Sequence, residues 1–88
     1  MTKFLLVLLV LATLTPAFAQ DQSNTRSQAY YHFSKARLLD DQGQANQAID
    51  EFKKALALDP NNSLIYSEMA ESYLRNNRPR EAADTATK

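Results

Sequence analysis

Displaced by 34 residues, the chain overlays on itself: Ala36 falls on Ala70, Leu39 on Tyr73, Gln47 on Glu81 and Ala48 on Ala82. A fixed period in the range of about 20–50 residues marks a stacked repeat, in which one helix–turn–helix or similar unit cannot bury its apolar face alone and must be covered by a neighbour. That requirement constrains the fold more than any single residue does. In a chain of 88 residues there is room for about two such units.

Part of the length reads as a targeting segment. Over residues 1–19, Lys3 supplies a positive start and 4–12 is an uninterrupted apolar run. Thr15-Pro16 is expected to break the helix, and Ala17-Phe18-Ala19 is a small-x-small cleavage site before Gln20. A membrane span needs roughly 20 apolar residues, far more than this run contains. A cleaved secretory signal of bacterial type is therefore expected, placing the protein in the periplasm or outside the cell. The alternative is a membrane-anchored adaptor that keeps its N-terminal helix, and only then is a membrane a partner. The chain has no Cys, which excludes a lipoprotein anchor, disulfides and zinc–thiolate sites.

Charge and composition narrow the function further. Ten basic side chains balance ten acidic ones, so nothing electrostatic points to nucleic acid. A single Gly rules out a glycine-rich phosphate loop. His32 is the only His, and Asp40 and Asp41 stand two to three turns from it, so a half-exposed helix His is the better reading than a metal ligand. Ser34, His32 and the neighbouring Asp residues share one helix and lack the converging geometry and oxyanion donors of acyl transfer. No catalytic residue, cofactor or metal is expected.

After a polar leader over 20–27, expected to be irregular, four helices follow from the pattern. The first is predicted over 27–42, ended by Gly43 at a left-handed position. The second is predicted over 45–58, where Ala45, Ala48, Ile49, Phe52, Ala55 and Leu56 form one stripe and Asp50, Glu51, Lys53 and Lys54 form the opposite, solvated face. Asp50 and Lys54 sit at a favourable i, i+4 spacing. Pro60 stops this helix, and Asn61 or Asn62 caps the third, predicted over 63–76. Asn76-Asn77 takes the place of a Gly turn, and Pro79 suits the first turn of a fourth helix. That helix offers only Ala82, Ala83 and Ala86 to bury. The expected core is Ala36, Leu39, Ala48, Phe52, Ala55, Tyr66, Ala70 and Tyr73.

The segment 47–62, with Ala48, Phe52 and Ala55 at the small, aromatic and small positions and Pro60 at its close, resembles the second helix and exit turn of a tetratricopeptide repeat. Tyr66, Met69, Ala70 and Tyr73 match the first-helix pattern of a second repeat. The resemblance implies an all-α fold of antiparallel helix–turn–helix repeats, about two units of a right-handed α-solenoid. Repeat one would cover 28–62 and an incomplete repeat two 63–88. His32 and Lys35 depart from the pattern, standing where it has an aromatic residue and a Leu. Helix one must then expose Lys35, or rotate to turn Phe33, Ala36 and Leu38 or Leu39 inward.

The resemblance also implies a function, the holding of a protein or peptide partner in a concave groove lined by the first helix of each repeat. The residues at those positions are Tyr30, Phe33, Arg37 and Asp40 in the first unit, and Leu64, Ser67, Glu71 and Leu74 in the second. Aromatic residues and Arg are enriched at binding hot spots; a solvated face with local ion pairs is the plainer reading of Arg37, Asp40 and Glu71. Family members that clamp a terminal carboxylate use Lys and Asn on this face, and Phe33, Arg37 and Glu71 do not supply that set. The expected protein is an exported, non-catalytic scaffold, with self-association through its C-terminal end as a further possibility. The alternative from another class is the N-terminal stretch of a larger exported protein or enzyme.

Overall fold

The computed structural model describes the backbone from Thr2 and the side chains from Gln22 to Lys88. The signal expected over 1–19 lies outside the residues whose side chains are described. Four helices and no strand occur among the described residues: α1 (Thr2–Asp41), α2 (Ala45–Leu58), α3 (Ser63–Arg75) and α4 (Pro79–Ala86). Residues 20–27, expected as an irregular leader, instead lie within α1, and so does Thr15-Pro16, where a helix break was expected. No Gly or Pro stands between Pro16 and Gly43, and once 29–41 is held by packing each further residue adds a hydrogen bond at little cost.

The repeat shows in the hydrogen bonds of its turns. Gly43 has φ 77° and Asn77, 34 residues on, has φ 60°. The amide of Gln44 donates to the Leu39 carbonyl at 2.9 Å, and that of Arg78 to the Tyr73 carbonyl at 2.8 Å. One residue inward, Gly43 donates to Asp40 at 3.0 Å and Asn77 to Leu74 at 3.1 Å. Both turns are thus the same Schellman closure, which needs a left-handed residue after the helix. Between the units, Asn62 caps α3 by accepting from the amides of Leu64 and Ile65. Pro79 opens α4, where its missing N–H is not needed.

α1 packs along α2, α3 along α4, and α2 against α3. One cluster runs through both units: Phe33, Ala36, Ile49, Phe52, Ala55, Ile65, Met69, Tyr73 and Ala82. Phe52 is wholly buried and meets Phe33 edge to face, with ring centres 6.1 Å apart. Ala36, Ala48 and Ala55 are also fully buried, where small side chains let helix backbones approach. Of the expected core, Leu39 and Tyr66 are only partly buried. Of the three alanines expected to seat α4, Ala82 alone is buried; Ala83 and Ala86 are exposed and Thr85 faces inward instead.

Candidate functional site

The rotation of α1 decides what its surface can do. Phe33, placed on the groove by its position in the repeat, is turned inward and only 8% exposed. His32 and Lys35 come to lie over α2 instead of in solvent alone. Beneath them is Glu51, which was expected on the solvated face of α2 and is buried. Its carboxylate takes a 2.6 Å hydrogen bond at His32 Nδ1 and a 3.1 Å bond from Lys54, with Lys35 Nζ at 3.6 Å. Lys54 therefore serves Glu51 at i, i+3, whereas the sequence pattern had pointed it at Asp50. The His32 bond is the largest influence on Glu51; with the two lysines it outweighs burial and holds the carboxyl down to about 2. His32, weighed as a metal ligand, is in this way engaged with a carboxylate of its own unit. The two departures at His32 and Lys35 were the signal for Glu51: polar groups on the docking face of α1 require a polar partner on α2.

Asp40, expected on the face a partner would meet, also joins the two units. It accepts a 3.0 Å bond from the fully buried Ser72 hydroxyl, a charge-assisted bond from Arg75, and a long contact from Asn76 at 3.5 Å. Burial pushes its carboxyl upward, but the Arg75, Ser72 and Asn76 donors together leave it below the ordinary carboxylate value. Arg75 is raised in turn, first by its hydrogen bond to Asp40. No buried side-chain nitrogen or oxygen among the described residues lacks a partner.

What remains open between α1 and α3 is a groove with two ends of different chemistry. At the first end a cavity of about 340 Å³ has Phe33, Ala29 and Ile65 as its apolar floor, Tyr30 and Leu64 as its walls, and Arg26, Asp59 and Asn62 at its rim. Tyr30 is 70% exposed and Leu64 is likewise largely uncovered. The second end is charged, with Arg37, Asp40, Asp41, Glu68, Glu71 and Arg75 around about 270 Å³. Arg37 crosses from α1 toward Glu68 on α3 at 3.9 Å, and its guanidinium stands 5.9 Å from the centre of the Phe33 ring.

The structure therefore divides the expected site residues. Tyr30, Phe33 and Leu64 meet at the apolar cavity, and Arg37 and Glu71 at the charged one. Ser67 and Leu74 stand elsewhere, around a wider opening of about 650 Å³ on the side of α3 away from α1, which Glu71 also borders together with Tyr66, Ala70, Ala86 and Lys88. The arrangement can grip an extended or helical segment through one apolar side chain and flanking charges. Among the described residues, no helix is long and apolar enough to cross a membrane.

The sequence profile of the family described as tetratricopeptide repeat matches residues 41–87, more than half of the chain. Neither the curated proteins nor the solved structures contain a significant match.

Proposed function

The chain belongs to the tetratricopeptide repeat family, and from that membership we propose that it is an exported, non-catalytic scaffold that holds a protein segment in the groove between α1 and α3. Repeats of this family generally mediate protein–protein contact. The observation that carries the reading is the cavity beside Tyr30 and Leu64. Two large apolar side chains are left exposed there over a buried floor of Phe33 and Ile65, with charge on both sides. An exposed aromatic beside a preformed apolar pocket is the composition of a binding hot spot. Export rests on the pattern of 1–19, and the balanced charge favours a protein over a nucleic acid. The opening beyond α3 and α4 is, on this reading, a second place for a protein to dock.

The groove is tested in the exporting cell with a photo-crosslinking residue in place of Tyr30, Leu64 or Lys53, the last exposed on α2. Discrete adducts from the first two and none from the third are expected. Equal labelling at all three positions, or none at Tyr30 and Leu64, would overturn the groove. The same exported material should begin Gln20-Asp21-Gln22; retention of Met1 would instead favour the anchored adaptor.

A further inference from the structure

The 34-residue period applies to surfaces as well as to helices. In the joint between the units, α3 brings Ile65 and Met69 into one buried cluster with Phe33, Ala36 and Phe52, and Ser72 onto Asp40. Moving the receiving side on by one period replaces Phe33 with Ser67, Ala36 with Ala70, Asp40 with Leu74 and Phe52 with Ala86. All four of these replacements border the 650 Å³ opening at the far side of α3. Moving the inserted side back by one period replaces Ile65 with Tyr31, Met69 with Lys35 and Ser72 with Leu38. Tyr31 and Leu38 are exposed on α1, the latter by 58%.

The two unfilled faces differ from the internal joint in opposite and matching senses. The receiving face has become smaller, with Ser67 and Ala86 in place of two phenylalanines. The inserting face has become larger, with Tyr31 for Ile65 and Leu38 for Ser72. The polar pair Ser72–Asp40 is replaced by the apolar pair Leu38–Leu74, both members of which are more than half exposed. Lys35, in the place of Met69, brings a positive charge to an opening bordered by Glu71. We propose that α1 of a second copy of this chain stacks on the α3–α4 end of the first, head to tail, with Leu38 of one copy against Leu74 of the other. Such a contact is heterologous, so it leaves a free face at each end and can continue.

The inference rests on the scaffold reading for its second docking place but uses none of the residues at the Tyr30–Leu64 cavity, so failure of either test leaves the other standing. The chain, recovered after expression with its own N-terminal segment, is examined by analytical ultracentrifugation across a range of concentrations. Its mean mass should rise with concentration. Leu38→Asp and Leu74→Asp each place a charge on one of the two faces, and each alone should reduce the chain to monomer with its helical circular dichroism intact. Mixed in equal amounts, the two variants retain one good face of each kind and should form a species of two chains and no larger. A monomer at every concentration overturns the proposal. So does assembly indifferent to both substitutions, as apolar aggregation through the N-terminal run would be, and so does a mixture that stays monomeric.

Discussion

The α1–α2 unit and the α3–α4 unit close with the same turn, yet they are not equally filled. The first buries Phe33, Ile49 and Phe52 between helices, and α2 is 14 residues long. In the second, α4 has 8 residues and contributes only Ala82 and Thr85 to the interior. Because apolar burial scales with area, the second unit takes most of its stability from what α3 buries against the first. A shared period therefore sets where helices and turns fall, while the size of a few side chains sets how firmly each unit stands. Short helices are marginal without a packed face, so α4 is the end that should open first.

The largest expected effect puts that asymmetry at risk. Phe52→Ala empties a fully buried ring site in the shared cluster and should cost about 3–5 kcal/mol in urea unfolding. Its equivalent one period on is Ala86, which is exposed; Ala86→Ser in dilute protein should stay within about 0.5 kcal/mol of the parent. Similar losses at the two positions would mean that the units are filled alike and that the comparison is wrong.

How far this was legible from sequence follows the same division. Gly43, Pro60, Asn77 and Pro79 act through their own backbones, so the helix boundaries from Gly43 onward could be read from them directly. The α2 stripe was equally plain, because its buried residues recur at helical spacing without interruption. The face that α1 presents was not, since His32 and Lys35 break its apolar spacing and leave two rotations open. Glu51, Asp40 and Ser72 depend on that rotation: each is a polar residue whose burial makes sense only when its partner on another helix is known. The same ambiguity placed Phe33 at the groove surface when it is the groove floor. Position in the repeat grouped Ser67 and Leu74 with the groove, and in the structure both border the separate opening beside α4.

A second contrast lies between the two carboxylates, one inside the first unit and one between the units. Glu51→Gln keeps the shape of the side chain but removes the charge that His32, Lys35 and Lys54 surround. It should cost about 1–3 kcal/mol at neutral pH. Glu51 has its folded pKa lowered from 4.5 to about 2. A lowered carboxylate value means that its contribution is whole above the unfolded value and disappears as pH falls through the folded one. The gap between parent and variant should accordingly be widest above about pH 5 and close as pH approaches about 2. Asp40 is lowered as well, so Asp40→Asn should follow the same sign while loosening the joint between units. Urea titrations at several pH values check both, and a gap that stays constant down to pH 2 would remove Glu51 from the account.

The smallest effect compares the turns themselves, which are the features the two units share most closely. At Gly43 an added Cβ would meet nothing within 4 Å, so any cost of Gly43→Ala comes from the backbone and not from crowding. A left-handed conformation costs an ordinary L-residue about 1–2 kcal/mol, partly offset by the reduced freedom of the unfolded chain, so a net loss of about 1 kcal/mol is expected. Asn is the side chain that tolerates this conformation best after Gly, and at φ 60° Asn77 already uses that tolerance in the second turn. Gly43→Asn should therefore lose less than Gly43→Ala, and Asn77→Gly should change stability by no more than about 0.5 kcal/mol. Thermal unfolding of the three variants decides the matter. Equal losses for Ala and Asn at position 43 would show that the first turn is held by the packing behind it, in Phe33 and Phe52, and that its positive φ is a consequence of that packing. The expected order would show the reverse: the same backbone device sets both turns, and the units differ in what packs behind them.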